Sequence, residues 1–194
     1  MKLCGLTGGV GMGKSTAAGF LLSRGVSVVD TDAIACELVR PGEPALVEIE
    51  NTFGKSIVTT TGELNRVELA RRVFADASAR QRLEAILHPR IRERWLAQVE
   101  IWRQRKERLA FVVIPLLFET EAENQFEKII CVACSENSQR QRLLARGWSP
   151  EQSQQRSAAQ MPVEQKMARS NFVVWTEGTL AVHRQQLEGV LSRL

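Results

Sequence analysis

Histidine is scarce in this 194-residue chain. The two present, His88 and His183, are too few for a histidine-rich metal cluster, and His183 is expected at the surface. Cysteine is little commoner, with Cys4, Cys36, Cys131 and Cys134. Cys131 and Cys134 form a C-x-x-C pair inside an apolar run, where a strand would point them to opposite faces. They therefore read as interior filling, and the other two complete no zinc set of recognised spacing. Long hydrophobic runs are also missing. The longest, 109–118, is interrupted by Pro115 and is too short to span a bilayer. Met-Lys-Leu-Cys passes directly into a glycine-rich stretch, which leaves no room for a signal-peptide core, so a cytoplasmic protein with no membrane partner is expected. There is no internal repeat and no low-complexity tract.

What is present describes a globular protein, 44% hydrophobic and 25% charged. Net charge is +4, which favours an anionic ligand without choosing between nucleic acid and a small phosphate compound. The densest basic segment, 90–108, is interleaved with glutamates. Its Ile91, Trp95, Val99 and Trp102 recur at three- and four-residue steps, which predicts a long amphipathic helix with a salted outer face. Runs 2–7, 26–30, 109–118, 128–134 and 171–175 are apolar almost throughout, as strands covered on both faces are. Helical patterns fill the gaps, so the fold class is α/β with a parallel sheet flanked by helices. Almost eighty residues separate the second strand from the third, far more than one crossover helix needs. A single domain is expected, with a core of 1–36, 109–134 and 170–194, a helical substrate lobe at about 37–108 and a lid at about 135–169. The His88-Pro89 pair is expected to open the long helix of the lobe.

The stretch Gly8-Gly9-Val10-Gly11-Met12-Gly13-Lys14-Ser15 fits G-x-x-x-x-G-K-[ST], between a strand and a helical pattern. Such glycines let successive backbone N–H groups form an anion nest, and the helix start adds partial positive charge. Lys14 is expected on the β- and γ-phosphates of ATP, the Ser15 hydroxyl on Mg²⁺, and Thr16 near the α-phosphate. The chain has no N-K-x-D guanine reader. The third strand run ends in proline and leucines, where ATPase motors place an aspartate. Asp30 and Asp32 instead close the second strand, where a carboxylate can accept a proton from an acceptor hydroxyl. Capping of the next helix is the other role open to either. Gln139, Arg142 and Arg146 share one helical face and suit a lid over the transferred phosphoryl, although solvated arginines are common. A small kinase follows. A kinase for another hydroxyl or nucleotide, and a nucleic-acid-stimulated ATPase using the basic 90–108 helix, are the competing readings.

From about Leu3 to Gly178 the chain resembles the dephospho-CoA kinases. The resemblance rests on "LTGGVGMGKST", "DTDAIACELVRPG", "FGKSIVTTTGELNRVELARRVF", "LHPRI", "IPLLFE", "QRQRLLAR" and "AAQMP", in order. It implies an adenylate-kinase-like P-loop fold and phosphorylation of the ribose 3′-hydroxyl of dephospho-CoA by ATP, with no nucleic acid required. Asp32 matches the general base, Arg142 and Arg146 match lid arginines, and Arg66 and His88 fall in segments near the acceptor. For His88 a purely chain-directing role is equally open, and for Glu119 so is a plain ion pair. The family pattern near the last strand has Asp and Asn where this chain has Asn171 and Thr176, so base contacts do not carry over there.

Overall fold

The computed structural model describes all residues from Met1 to Leu194. In chain order the elements are β1 (Lys2–Thr7), α1 (Lys14–Ser23), β2 (Ser27–Asp30), α2 (Thr31–Leu38), α3 (Pro44–Phe53), α4 (Arg66–Ala75), α5 (Ala77–Gln104), β3 (Leu109–Val113), β4 (Lys128–Ala133), α6 (Glu136–Ala145), α7 (Pro150–Ala158), α8 (Val163–Arg169), β5 (Phe172–Trp175) and α9 (Leu180–Leu191). Two compact units result: Met1–Asp30 together with Ile101–Leu194, and Thr31–Glu100. No helix is long and apolar enough to cross a membrane.

The first unit holds a five-stranded parallel sheet in the order β2-β3-β1-β4-β5. Strand alternation sends Cys4 and Leu6 of β1, with Ile130 and Val132 of β4, toward Ala17 and Leu21 of α1 and Leu187 of α9. Ala133, of the opposite parity, joins Met12 and Cys134 under Val163 and Met167, where α8 lies on β4. Both faces are thus covered, which explains the unbroken apolar runs. The 109–118 run is strand only to Val113. Ile114 N–H still donates to Leu6 O, but Pro115 has no N–H to continue the ladder. Cys4, Cys131 and Cys134 are buried and Cys36 is exposed, all four free. Burial pushes the Cys4 thiol up to about 12 and Cys131 to about 11.

The second unit is helical. Ile34, Leu46, Ile49, Phe53, Leu69 and Trp95 are among its buried residues. Arg90 and Arg94 of α5 pair with Glu48 and Glu43 of the α3 region at 2.6 and 3.6 Å. Arg72 of α4 donates to the Phe53 carbonyl and to Ser56 Oγ. The long helix does not open at His88-Pro89. It begins at Ala77 and runs through Pro89, and the Arg90 guanidinium donates to the Ile86 carbonyl at 2.7 Å beside the proline. Of the stripe on α5, Trp95 and Val99 are buried and Ile91 is half-buried, and Trp102, past the limit of this unit, is buried as well.

Two carboxylates brace local structure, one in each unit. Glu68 in the first turn of α4 accepts from Arg71 and Arg72. Glu177, after β5, accepts from Ser135 N–H and Ser138 Oγ, both at 2.7 Å, and so fastens the start of α6. Side-chain hydrogen bonds, from Arg71 to Glu68 and from Ser135 to Glu177, are the main cause that lowers each carboxyl from the usual 4.5 to about 2. A depressed folded-state value contributes stability that is complete above the unfolded value and is lost as pH falls through the folded one. The chain is therefore expected to lose thermal stability between about pH 4.5 and pH 2. In melts across that window Glu177→Gln should show a shallower decline than the parent, and parallel curves would remove Glu177 from this role.

Candidate active site

The glycine stretch forms the turn from β1 into α1, at the carboxyl end of the central strand. Here Gly8 has φ +144° and a Cβ on it would lie 2.1 Å from the Val132 carbonyl oxygen, so no side chain fits. Gly13, with φ +101°, is the left-handed N-cap that turns the chain into the helix. Lys14 Nζ donates to the carbonyls of Gly8 and Gly9 at 2.9 and 3.0 Å, which keeps its ammonium within the curve of the loop. Ser15 and Thr16 are exposed in the first turn of α1, where helix N–H groups lack intrahelical acceptors. The arrangement is a nest for a polyanion.

On one side the loop rests on the chain after β5. Thr176 is buried. Its Oγ1 donates to Met12 O at 3.0 Å and accepts from Arg142 Nη1 at 2.8 Å, while Arg142 Nη2 reaches Thr176 O at 2.5 Å. Gln139, one turn before Arg142, donates to Val10 O at 2.8 Å. Arg146 is exposed at the C-cap of α6. His183, expected at the surface, is only 4% exposed. It takes a place in the buried stripe of α9 with Leu187 and Val190, and its ring reaches within 3.6 Å of the point where a Gly13 Cβ would stand. Burial, assisted by the Arg142 charge, lowers its pKa, so the imidazole stays neutral.

On the other side stands a group with no motif of its own. Lys166 of α8 is wholly buried. Its ammonium donates to Pro115 O at 2.6 Å and pairs with Glu119 Oε1 at 2.8 Å. The same carboxylate oxygen accepts from Met161 N–H at 2.8 Å. Next to Met161, Gln160 Oε1 accepts from Val10 N–H at 3.1 Å. Breaking such a pair from one side costs about 3–5 kcal/mol because a buried charge is left uncompensated. A cleft of ≈ 590 Å³ opens among α6, α7 and the start of α8 and reaches the loop at Gly9 and Met12, with Gln139, Leu143, Gln160 and Met161 in its wall.

Gly8 to Thr16, Arg142 and Glu119 are thus gathered in the first unit. Asp32, Arg66 and His88 stand in the second. Asp32 is exposed in the first turn of α2, directly after the strand-end Asp30. Arg66 opens α4 and is exposed, and His88 is half-buried inside α5. Glu119 makes the ion pair that was one of its two expected roles. Lys166, Gln160 and Thr176 were not selected from the sequence. The signal for Lys166 was a cation sharing a three- and four-residue stripe with the apolar Val163 and Met167.

The family profile of dephospho-CoA kinase matches residues 2–181. A dephospho-CoA kinase from Anaeromyxobacter dehalogenans is 44% identical over 179 residues, 92% of this chain and 85% of that one. Another, from Bdellovibrio bacteriovorus, is 40% identical over 174 residues, 90% and 87% of the two chains. The crystal structure of TT1252 from Thermus thermophilus superimposes with a TM-score of 0.83 at 34% identity, covering 100% of this chain and 97% of that one. Dephospho-CoA kinase from Campylobacter jejuni gives 0.72 at 27% identity over the same shares. Shikimate kinase from Acinetobacter baumannii, 14% identical with a TM-score of 0.51 over 100% and 92% of the two chains, shares the P-loop kinase fold alone. With its phosphate-loop geometry and this match across nearly its whole length, the chain belongs to the dephospho-CoA kinase family of ATP-dependent kinases.

Proposed function

We propose that this protein transfers the γ-phosphoryl group of ATP to the ribose 3′-hydroxyl of dephospho-CoA, giving coenzyme A and ADP in the cytoplasm. The observation that carries the reading is the family match over residues 2–181 on a chain whose phosphate loop is complete. The acceptor oxygen forms the new bond to phosphorus, the bond to the β–γ bridging oxygen breaks, and the hydroxyl proton passes to the Asp32 carboxylate. That role suits a carboxylate that is exposed and follows a strand end. Lys14 and the loop amides hold the β- and γ-phosphates, while Arg142 and Arg146 meet charge spreading over the transferred group. Thr16 lies toward the α-phosphate.

Residues 37–108 act as the acceptor lobe in this reading, with Arg66, His88 and Glu119 as acceptor contacts, and 135–169 act as the lid. The donor set beside the loop fits Mg²⁺ carried by the nucleotide. An exposed serine hydroxyl, Ser15, stands next to the nest, and magnesium in such sites takes few protein oxygens and keeps phosphate and water as its other ligands. When bound, the ion neutralises charge on the β- and γ-oxygens. No nucleic acid is needed, since the basic face of α5 is interleaved with glutamates.

The test is ADP release from Mg·ATP with and without dephospho-CoA, with the product identified by mass. Acceptor-dependent ADP matched by coenzyme A is expected, and ADP release indifferent to the acceptor would discard it. Asp32→Asn should lower kcat by about 10²–10⁴-fold with nucleotide affinity kept, and parent-like turnover would clear Asp32 of the base role. Lys14→Ala should cost about 10²–10³-fold in kcat/KM without loss of the melting transition. Arg142→Ala should reduce kcat more than it raises the KM for ATP, whereas unchanged turnover would take it out of the lid role.

A further inference from the structure

Between Gly8 and Gly11 the phosphate loop has one residue with a side chain, Val10. Glycines have the widest torsional freedom, so fixing them in one shape costs the most entropy. Gly11 uses that freedom, with φ +73°. Contacts from outside the run are therefore what can hold it in a single shape.

Both backbone groups of Val10 are held by glutamine side chains from separate parts of the first unit. Its N–H donates to Gln160 Oε1 at 3.1 Å, and its carbonyl accepts from Gln139 Nε2 at 2.8 Å. A peptide unit is a rigid plane. The Val10 N–H lies in the plane shared with Gly9 and the Val10 carbonyl in the plane shared with Gly11, so the two bonds orient both planes around the Val10 Cα. Gln139 is itself well placed to do this. Glu177 fastens the turn of α6 just before it, through Ser135 and Ser138. One turn after it, Leu143 is buried, with its Cδ2 3.0 Å from where a Gly11 Cβ would stand. Gln160 comes from the turn before α8. Both glutamines are half-buried in the wall of the ≈ 590 Å³ cleft rather than in a packed core. Nothing in the phosphoryl transfer described above uses either of them.

We propose that Gln139 and Gln160 are positioning residues for nucleotide capture: they clamp the two peptide planes around Val10, so that the glycine run already has the shape of an anion nest before Mg·ATP arrives. The inference rests on the ATP-dependent kinase reading of the loop and adds to it the residues that preset the loop. The clamp keeps the Val10 N–H for itself and leaves the phosphates to Lys14 and the later amides. Donors arranged in advance need no rearrangement at binding or at transfer. The two ends of the clamp differ in chemistry, since Gln160 accepts and Gln139 donates. An ionised glutamate only accepts, so the same substitution preserves one bond and sets an anion against a carbonyl at the other.

The experiment measures the affinity for a non-hydrolysable ATP analogue with Mg²⁺ by calorimetry, together with kcat, KM for dephospho-CoA and the melting temperature. The variants are Gln139→Met, Gln160→Met, Gln139→Glu and Gln160→Glu. Each methionine variant should bind the analogue about 5-fold more weakly than the parent, with the KM for dephospho-CoA unchanged. Gln160→Glu should bind it about 10-fold more tightly than Gln139→Glu. Both glutamates add the same charge, so that difference reads the polarity of the hydrogen bond, which a general loss of packing would not produce. Tighter binding in Gln160→Met would mean that the glutamine competes with phosphate for the Val10 N–H, and would overturn the proposal. So would parent-like binding in both methionine variants, or equal binding by the two glutamate variants. Should a methionine variant not fold, the glutamate pair still decides the matter. The analogue binds without an acceptor, so absence of acceptor-dependent ADP from the parent would remove the assigned reaction and leave the clamp standing on the binding data. Failure of the parent to bind the analogue would remove the nucleotide reading and the clamp with it.

Discussion

A backbone N–H that a loop offers to a phosphate cannot also be spent on holding the loop's shape. Much of the first unit answers that constraint. Most side-chain supports of the loop end on its carbonyl oxygens: Thr176 on Met12, Gln139 on Val10, and Lys14 on Gly8 and Gly9, while two N–H groups are spent on shape, Val10 on Gln160 and Met12 on Gly9 O. Each supporting side chain is itself held from behind, Thr176 by Arg142 and the start of α6 by Glu177. The contact of Gly8 with the Val132 carbonyl adds a steric stop that needs no donor at all. The nest is thus kept in shape mainly through its carbonyl side.

The same economy explains why so many polar residues of the 135–176 region face inward. Gln139 and Arg142 occupy one face of α6 and engage the loop and its β5 support, while Gln160 and Met161 bring the chain before α8 onto the loop and onto Glu119. Each contact is modest, since a hydrogen bond contributes about 1 kcal/mol net. Their joint effect is geometric, because several weak contacts from separate helices restrict the loop more than one strong contact can.

The strands and the phosphate loop were legible because their signals are local. A parallel strand covered on both faces needs a continuous apolar run, and an anion nest needs glycine at fixed offsets, so β1 and the turn after it could be read directly. Strand ends were less legible: the run through Leu116–Phe118 reads as strand, yet a missing N–H at Pro115 stops the ladder at Val113. The long helix illustrates the opposite error. A proline usually marks a boundary, but α5 runs from Ala77 to Gln104 through Pro89. His183 and Lys166 were opaque for a shared reason. Each is a polar residue at an apolar stripe position, and only three-dimensional neighbours reveal whether such a residue faces solvent or a buried partner. Thr176 stood out solely as a departure from the pattern of related sequences, and its bonds to Met12 and Arg142 show that this chain uses a hydroxyl there structurally.

The distribution of thiols has a practical side. Cys4 and Cys131 are buried with thiols held near 12 and 11, and Cys134 is buried as well, its pKa also raised by burial. Thiolate is the reactive form, so reagents that alkylate cysteine are directed to Cys36, exposed on α2 four residues after Asp32. The native chain therefore carries its own attachment point for a single fluorophore or spin label, on the helix that bears the candidate base, with no cysteine needing to be added or removed.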